Sequence, residues 1–168
     1  MRFTPAALAL SLLVAVTSSV SFSAPRDSLN PRAASLLAEG RAAMAIGRID
    51  DAIDAFEAAL VVQPGDVSIF LNLADATRIQ GMQGKALHYY REALKDDPRN
   101  LLAIAGEGAA LAEKGAIQKA ERNLVRLQGM CGKDCAAVRE LASVIAKSPS
   151  ERVVRADAMT TEPVISEN

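Results

Sequence analysis

The sequence predicts an all-α fold, an α-solenoid of three helix pairs closed by a C-terminal capping helix. Three observations carry that expectation. The chain repeats at an interval of 34 residues, which separates Pro64 from Pro98, Gly47 from Gly81, Ala52 from Ala86, Phe56 from Tyr90 and Ala59 from Ala93. Each copy reads as about fourteen helix-forming residues, a glycine turn, about fourteen more and a stop. Half of the residues are apolar but only 4% are aromatic, with no Trp, so small side chains must bring helices close together. That composition is unlike a β-sandwich, which relies on alternating β-branched and aromatic residues. A fixed period of this size marks an architecture in which each unit buries its apolar face against the next.

The chain opens with Arg2, an uncharged apolar run from Ala6 to Val16 and a small-residue stretch from Thr17 to Ser23. This is the layout of a secretory signal peptide, assigned to residues 1–23, with small residues at Ser21 and Ser23 for cleavage. An uncleaved N-terminal anchor is the alternative, although the run is short for a membrane span. The expected location is the periplasm, with secretion as second choice, and no integral membrane segment is expected once the signal is removed. Residues 24–32, containing Pro25 and Pro31, read as a lead-in.

The repeats cover 33–66, 67–100 and 101–132. In the first, Ala33 to Ile46 is one predicted helix, Gly47 breaks it, and Ile49 to Val62 is the second, with Ile49, Ala52, Ile53, Phe56, Ala59 and Leu60 at helical spacing. Gln63-Pro64-Gly65-Asp66 ends it, since proline cannot continue a helix. The second copy predicts helices Val67 to Gln80 and Gln83 to Asp96, ended by Asp97-Pro98-Arg99-Asn100. Short glycine connectors imply antiparallel pairs. Gly40, Ala74 and Gly108 facing Ala52, Ala86 and Ala120 would let the backbones of each pair approach closely.

These residues resemble the tetratricopeptide repeat family. Its pattern of small residue, Gly, Ala, aromatic, Ala and Pro stands here as Gly40, Gly47, Ala52, Phe56, Ala59 and Pro64, and again as Ala74, Gly81, Ala86, Tyr90, Ala93 and Pro98. In the third copy Gly108, Gly115 and Ala120 match, whereas Leu124, Leu127 and Gly132 replace the aromatic, Ala and Pro. A terminal repeat facing a different neighbour is expected to be atypical. The resemblance implies a concave groove lined by the first helix of each pair: Ala34, Leu37, Arg41 and Met44, then Ser68, Leu71, Asp75 and Arg78, then Leu102, Ala105, Ala109 and Ala112. Leu37 and Leu71 can equally be read as core between repeats. The Lys, Arg and Asn cluster with which some members grip a chaperone's terminal carboxylate is largely missing, so recognition of that kind is not expected.

Asp134 is a candidate N-cap for a capping helix over 135–147, with Val138, Leu141, Val144 and Ile145 on one side. Residues 148–168 lose periodicity, gain Pro, Ser, Thr and acidic residues, and read as a flexible tail. Cys131 and Cys135 are the only thiols, and export would place them where disulfides persist. A structural staple between them is the leading reading. The alternative is a thiol redox or copper-handling pair, with Met130 alongside, although no histidine or further cysteine lies near in sequence.

Formal net charge is −1 with both signs interspersed, so no basic face suggests nucleic acid. His88, the single histidine, is expected to face solvent. Neither a catalytic constellation nor a phosphate loop is legible, and no cofactor is expected. The sequence therefore points to a non-enzymatic scaffold or adaptor that binds a protein or peptide through its groove, with a homo-oligomer as a further possibility.

Overall fold

The computed structural model describes residues 28–148. The expected signal peptide over 1–23, residues 24–27 of the expected lead-in and residues 149–168 of the expected tail lie outside the described residues. Within them the chain forms seven helices: α1 (Pro31–Ala45), α2 (Ile49–Val62), α3 (Val67–Ile79), α4 (Gln83–Asp96), α5 (Leu101–Glu113), α6 (Ile117–Cys131) and α7 (Ala136–Lys147). Helices α1 and α2, α3 and α4, and α5 and α6 pack as pairs, and the pairs stack in chain order.

The connectors within pairs span 46–48, 80–82 and 114–116, and all three turn in the same way. Gly47, Gly81 and Gly115 hold φ of 77°, 83° and 88°, a left-handed conformation that glycine adopts without steric cost. In each case the next residue's N–H returns to a carbonyl of the preceding helix: Arg48 to Ala43, Met82 to Thr77 and Ala116 to Leu111. These are Schellman closures, which satisfy carbonyls that the helix end leaves open.

The first helix of each pair begins on a side-chain cap. Asn30 accepts from Arg32 N–H at 2.9 Å, Asp66 from Ser68 and Ile69 N–H at 2.9 and 3.2 Å, and Asn100 from Ala103 N–H at 3.0 Å. Helix α1 thus starts two residues before the expected Ala33, because Asn30 caps it and Pro31 occupies the first turn, where its missing N–H costs nothing. Asp134 does not cap α7. Cys135 holds that position without a side-chain hydrogen bond, and Asp134 contributes only its carbonyl, which accepts from Arg139.

The core runs through the stack. Phe56 and Tyr90 are its largest fully buried side chains. A Cβ on Gly40 would lie 2.3 Å from the Phe56 ring, so this glycine makes room for the aromatic residue of its own pair. The expected reciprocal approach through Ala52 is thereby refined. Gly108 makes room instead for Leu141 of α7, whose Cδ2 lies 2.6 Å from where its Cβ would be.

Candidate functional site: the concave face

The first helices present the stripe that the sequence assigned to a groove, but the three rungs differ. On α1, Arg41 is exposed and its Nε donates to Asn72 Oδ1 of α3 at 3.1 Å. Ala34 and Met44 are half-buried. Leu37 is only 2% exposed and sits in the core with Ala33, Phe56 and Ile69, so the core reading holds for it and it does not line a groove. Its cluster joins residues of α1, α2 and α3.

The second rung is the most polar. Ser68 is half-buried with its hydroxyl donating to the cap residue Asp66 at 2.5 Å. Leu71 is half-buried and packs against the second core cluster. The Tyr90 hydroxyl donates to Asp75 Oδ1, and Arg78 Nη1 pairs with Glu113 of α5 at 2.6 Å. Burial pushes the Asp75 carboxyl above the ordinary carboxylate range, opposed by the Tyr90 hydrogen bond and the Arg78 charge. Burial also holds the Tyr90 phenol well above its usual value, and the neighbouring Asp75 charge adds to this. Asp75, Tyr90, Arg78 and Glu113 thus join α3, α4 and α5 at the groove floor.

The third rung is closed. Ala105, Ala109 and Ala112 are 5%, 4% and 0% exposed, while Leu102 at the start of α5 is 65% exposed. Ala105 and Ala109 share a cluster with Ala137, Val138 and Leu141 of α7, and Val144 and Ile145 pack against the cluster containing Ala112. These three alanines therefore do not line an open groove, because α7 lies on them. The sequence places the capping helix over the last pair's exposed apolar face, but nothing in the spacing says that the groove stripe of α5 belongs to that face.

Cys131 and Cys135 bring their sulfurs to 2.00 Å, a disulfide distance, with Cα atoms 5.9 Å apart. The pair joins the end of α6 to the start of α7. His88 is exposed, with Nδ1 3.8 Å from Glu92 Oε1. A cavity of about 920 Å³ lies between the inter-repeat connectors at Pro64, Asp66, Asp96 and Asp97, and Ser68 of the second rung lines part of it. Among the described residues no helix is long and apolar enough to cross a membrane, and no group of three or more His, Cys, Asp or Glu is placed to hold a metal ion.

Residues 37–82 match the family model of the tetratricopeptide repeat. Solved structures that superpose on this chain include tetratricopeptide-repeat domains. The Sgt2 domain from Aspergillus fumigatus is 26% identical with a TM-score of 0.63, covering 86% of this chain and 94% of that one. The chain carries the tetratricopeptide-repeat fold. Another similar structure is the first tetratricopeptide-repeat domain of Spaghetti (RPAP3) bound to an HSP90 peptide, at 20% identity and a TM-score of 0.62, covering 67% and 90%. The Yersinia enterocolitica type III secretion chaperone SycD in complex with a peptide of the translocator YopD is similar at 21% identity and 0.61, covering 67% and 88%. At such identities these two speak for the fold alone. No curated protein matches the sequence significantly.

Proposed function

We propose that this tetratricopeptide-repeat protein is a non-enzymatic scaffold that binds a protein or peptide segment along the concave face of α1 and α3. The observation that carries this reading is the openness of that face: Arg41 is exposed, and Ala34, Met44, Ser68 and Leu71 keep part of their surface free. Small and apolar residues punctuated by charge suit an extended segment or one face of a helix. The similar domains with bound peptides support a binding role for the fold. An exported adaptor, working in the periplasm or cell envelope, fits the N-terminal pattern of residues 1–23. With their sulfurs at bonding distance, Cys131 and Cys135 are better suited to holding α7 than to binding copper. No basic cluster equivalent to a carboxylate clamp is available, since Leu37 is buried, Asp75 is engaged by Tyr90 and the third rung is covered.

The test is crosslinking of the protein in its native compartment, with partners recovered by the unaltered chain and by an Arg41→Glu variant. Arg41 is exposed, so reversing its charge alters the groove while leaving the fold intact. Arg78 is less suitable, because a glutamate there would face Glu113. Loss of the recovered partners with Arg41→Glu is expected. Equal recovery from both proteins would place the binding surface elsewhere.

A further inference from the structure

Helix α7 does not stack as the earlier helices do. Helices α3 and α5 lie mainly against the second helix of the preceding pair, whereas α7 lies more against the first helix, α5, than against α6. This lean toward the concave side has a measurable consequence. Leu71, Asp75 and Arg78 keep part of their surface open although α5 stacks beyond them, while Ala105, Ala109 and Ala112 at the same register are buried. The fit is close, since Gly108 admits Leu141 to a place that any Cβ would obstruct. Yet α7 itself is lightly anchored. It has twelve residues, of which Ala137, Val138 and Leu141 are buried, and no side chain caps its N-terminus. Its connector, 132–134, is exposed and begins with Gly132 at φ 83°. The covalent tie across that connector is Cys131–Cys135.

We infer that α7 is a strap over the third rung of the concave face, held shut by the Cys131–Cys135 disulfide and released when a dithiol reductant cleaves it. The chemistry is a two-electron exchange. A thiolate of the reductant attacks one sulfur, a mixed disulfide forms, and the reductant's second thiol closes its own disulfide, leaving Cys131 and Cys135 as thiols. Release removes the constraint on the connector and exposes Ala105, Ala109 and Ala112, lengthening the open face from two rungs to three. That consequence for binding rests on the groove reading above, but the strap itself does not, so its test needs no partner.

An Ala109→Cys substitution places a small thiol beneath α7, and its rate of modification by a maleimide reports the opening of the strap. With the disulfide intact the introduced thiol should react slowly. In the same protein carrying Cys131→Ser and Cys135→Ser it should react roughly thirtyfold faster, the factor equivalent to freeing a loop of this length. Hydrogen exchange on the otherwise unaltered protein, before and after treatment with dithiothreitol, supplies the second readout. Amides of 136–147 should lose protection while those of α1 to α6 keep theirs. Equal maleimide rates, or unchanged exchange in 136–147 after reduction, would overturn the strap. Loss of protection in α5 and α6 together with α7 would also overturn it, since α7 would then be an integral part of the last repeat.

Discussion

A Cβ on Gly106 would fall 2.2 Å from Cε1 of Tyr90, so the ring from the second pair fills a notch that the third pair leaves by carrying glycine there. Tyr90 is 1% exposed and cannot swing out of the way without vacating the core. Gly106→Ala should therefore destabilise the protein by about 1–2 kcal/mol, overpacking outweighing the better helix propensity of alanine. Gly129 in α6 meets nothing within 4 Å and has no positive φ, so Gly129→Ala should instead stabilise by up to about 1 kcal/mol. Urea unfolding of the two variants gives opposite signs if the notch is real.

Asp75 sets a pH dependence. Its folded-state pKa is raised by burial above the ordinary 3.8, so its contribution to stability is present in the protonated form and declines as pH rises through the raised value. Asp75→Asn keeps an acceptor for the Tyr90 hydroxyl and removes the titration. The variant should therefore lose less stability than the natural protein between pH 4 and 7. Unfolding curves collected across that range would show parallel profiles if Asp75 were not responsible.

The cap at Asp66 satisfies two backbone N–H groups at the start of α3 and also receives the Ser68 hydroxyl. Asp66→Ala should cost about 1 kcal/mol. Asp66→Asn should recover most of that loss, because the amide oxygen still accepts. Thermal melts of both variants separate a capping role from a purely electrostatic one.

Ala52 and Ala86 are fully buried at equivalent places in the first two pairs. Replacing either by Leu should cost roughly 1–3 kcal/mol by overpacking. Leu141, also fully buried, is the opposite case: Leu141→Ala leaves a void beside Gly108 and should cost about 2–4 kcal/mol if α7 is counted in the cooperative unit. A much smaller loss in denaturant unfolding, with exchange confined to α7, is the outcome the strap entails.

The repeat architecture was legible because its signals are local. Glycine at 47, 81 and 115 marks turns that need a left-handed residue, and Asp66 and Pro64 punctuate the chain where a helix must stop and restart. The buried aromatics Phe56 and Tyr90 followed from helical spacing. What escaped depended on packing between distant segments. Asn30-Pro31 is a start signal in plain view, but it precedes the repeat register, within the stretch whose two prolines read as a lead-in. Leu37 and Leu71 share a register, yet one is core and the other half-open, a difference that periodicity alone does not carry. Ala105, Ala109 and Ala112 looked like groove because periodicity defines a stripe without defining what lies on it. The Asp75–Tyr90 contact joins residues fifteen apart on two helices, and only the closeness of α3 and α4 makes it.

The three pairs look interchangeable on paper, and the Tyr90 ring shows that they are not. The second pair has Asn72 at the register of Gly106, so a copy of itself placed after it would offer the phenol an occupied berth. At this junction the neighbour is thus chosen by shape, and a second copy of the middle pair set in the third's place would keep its helices but lose the seat of the phenol.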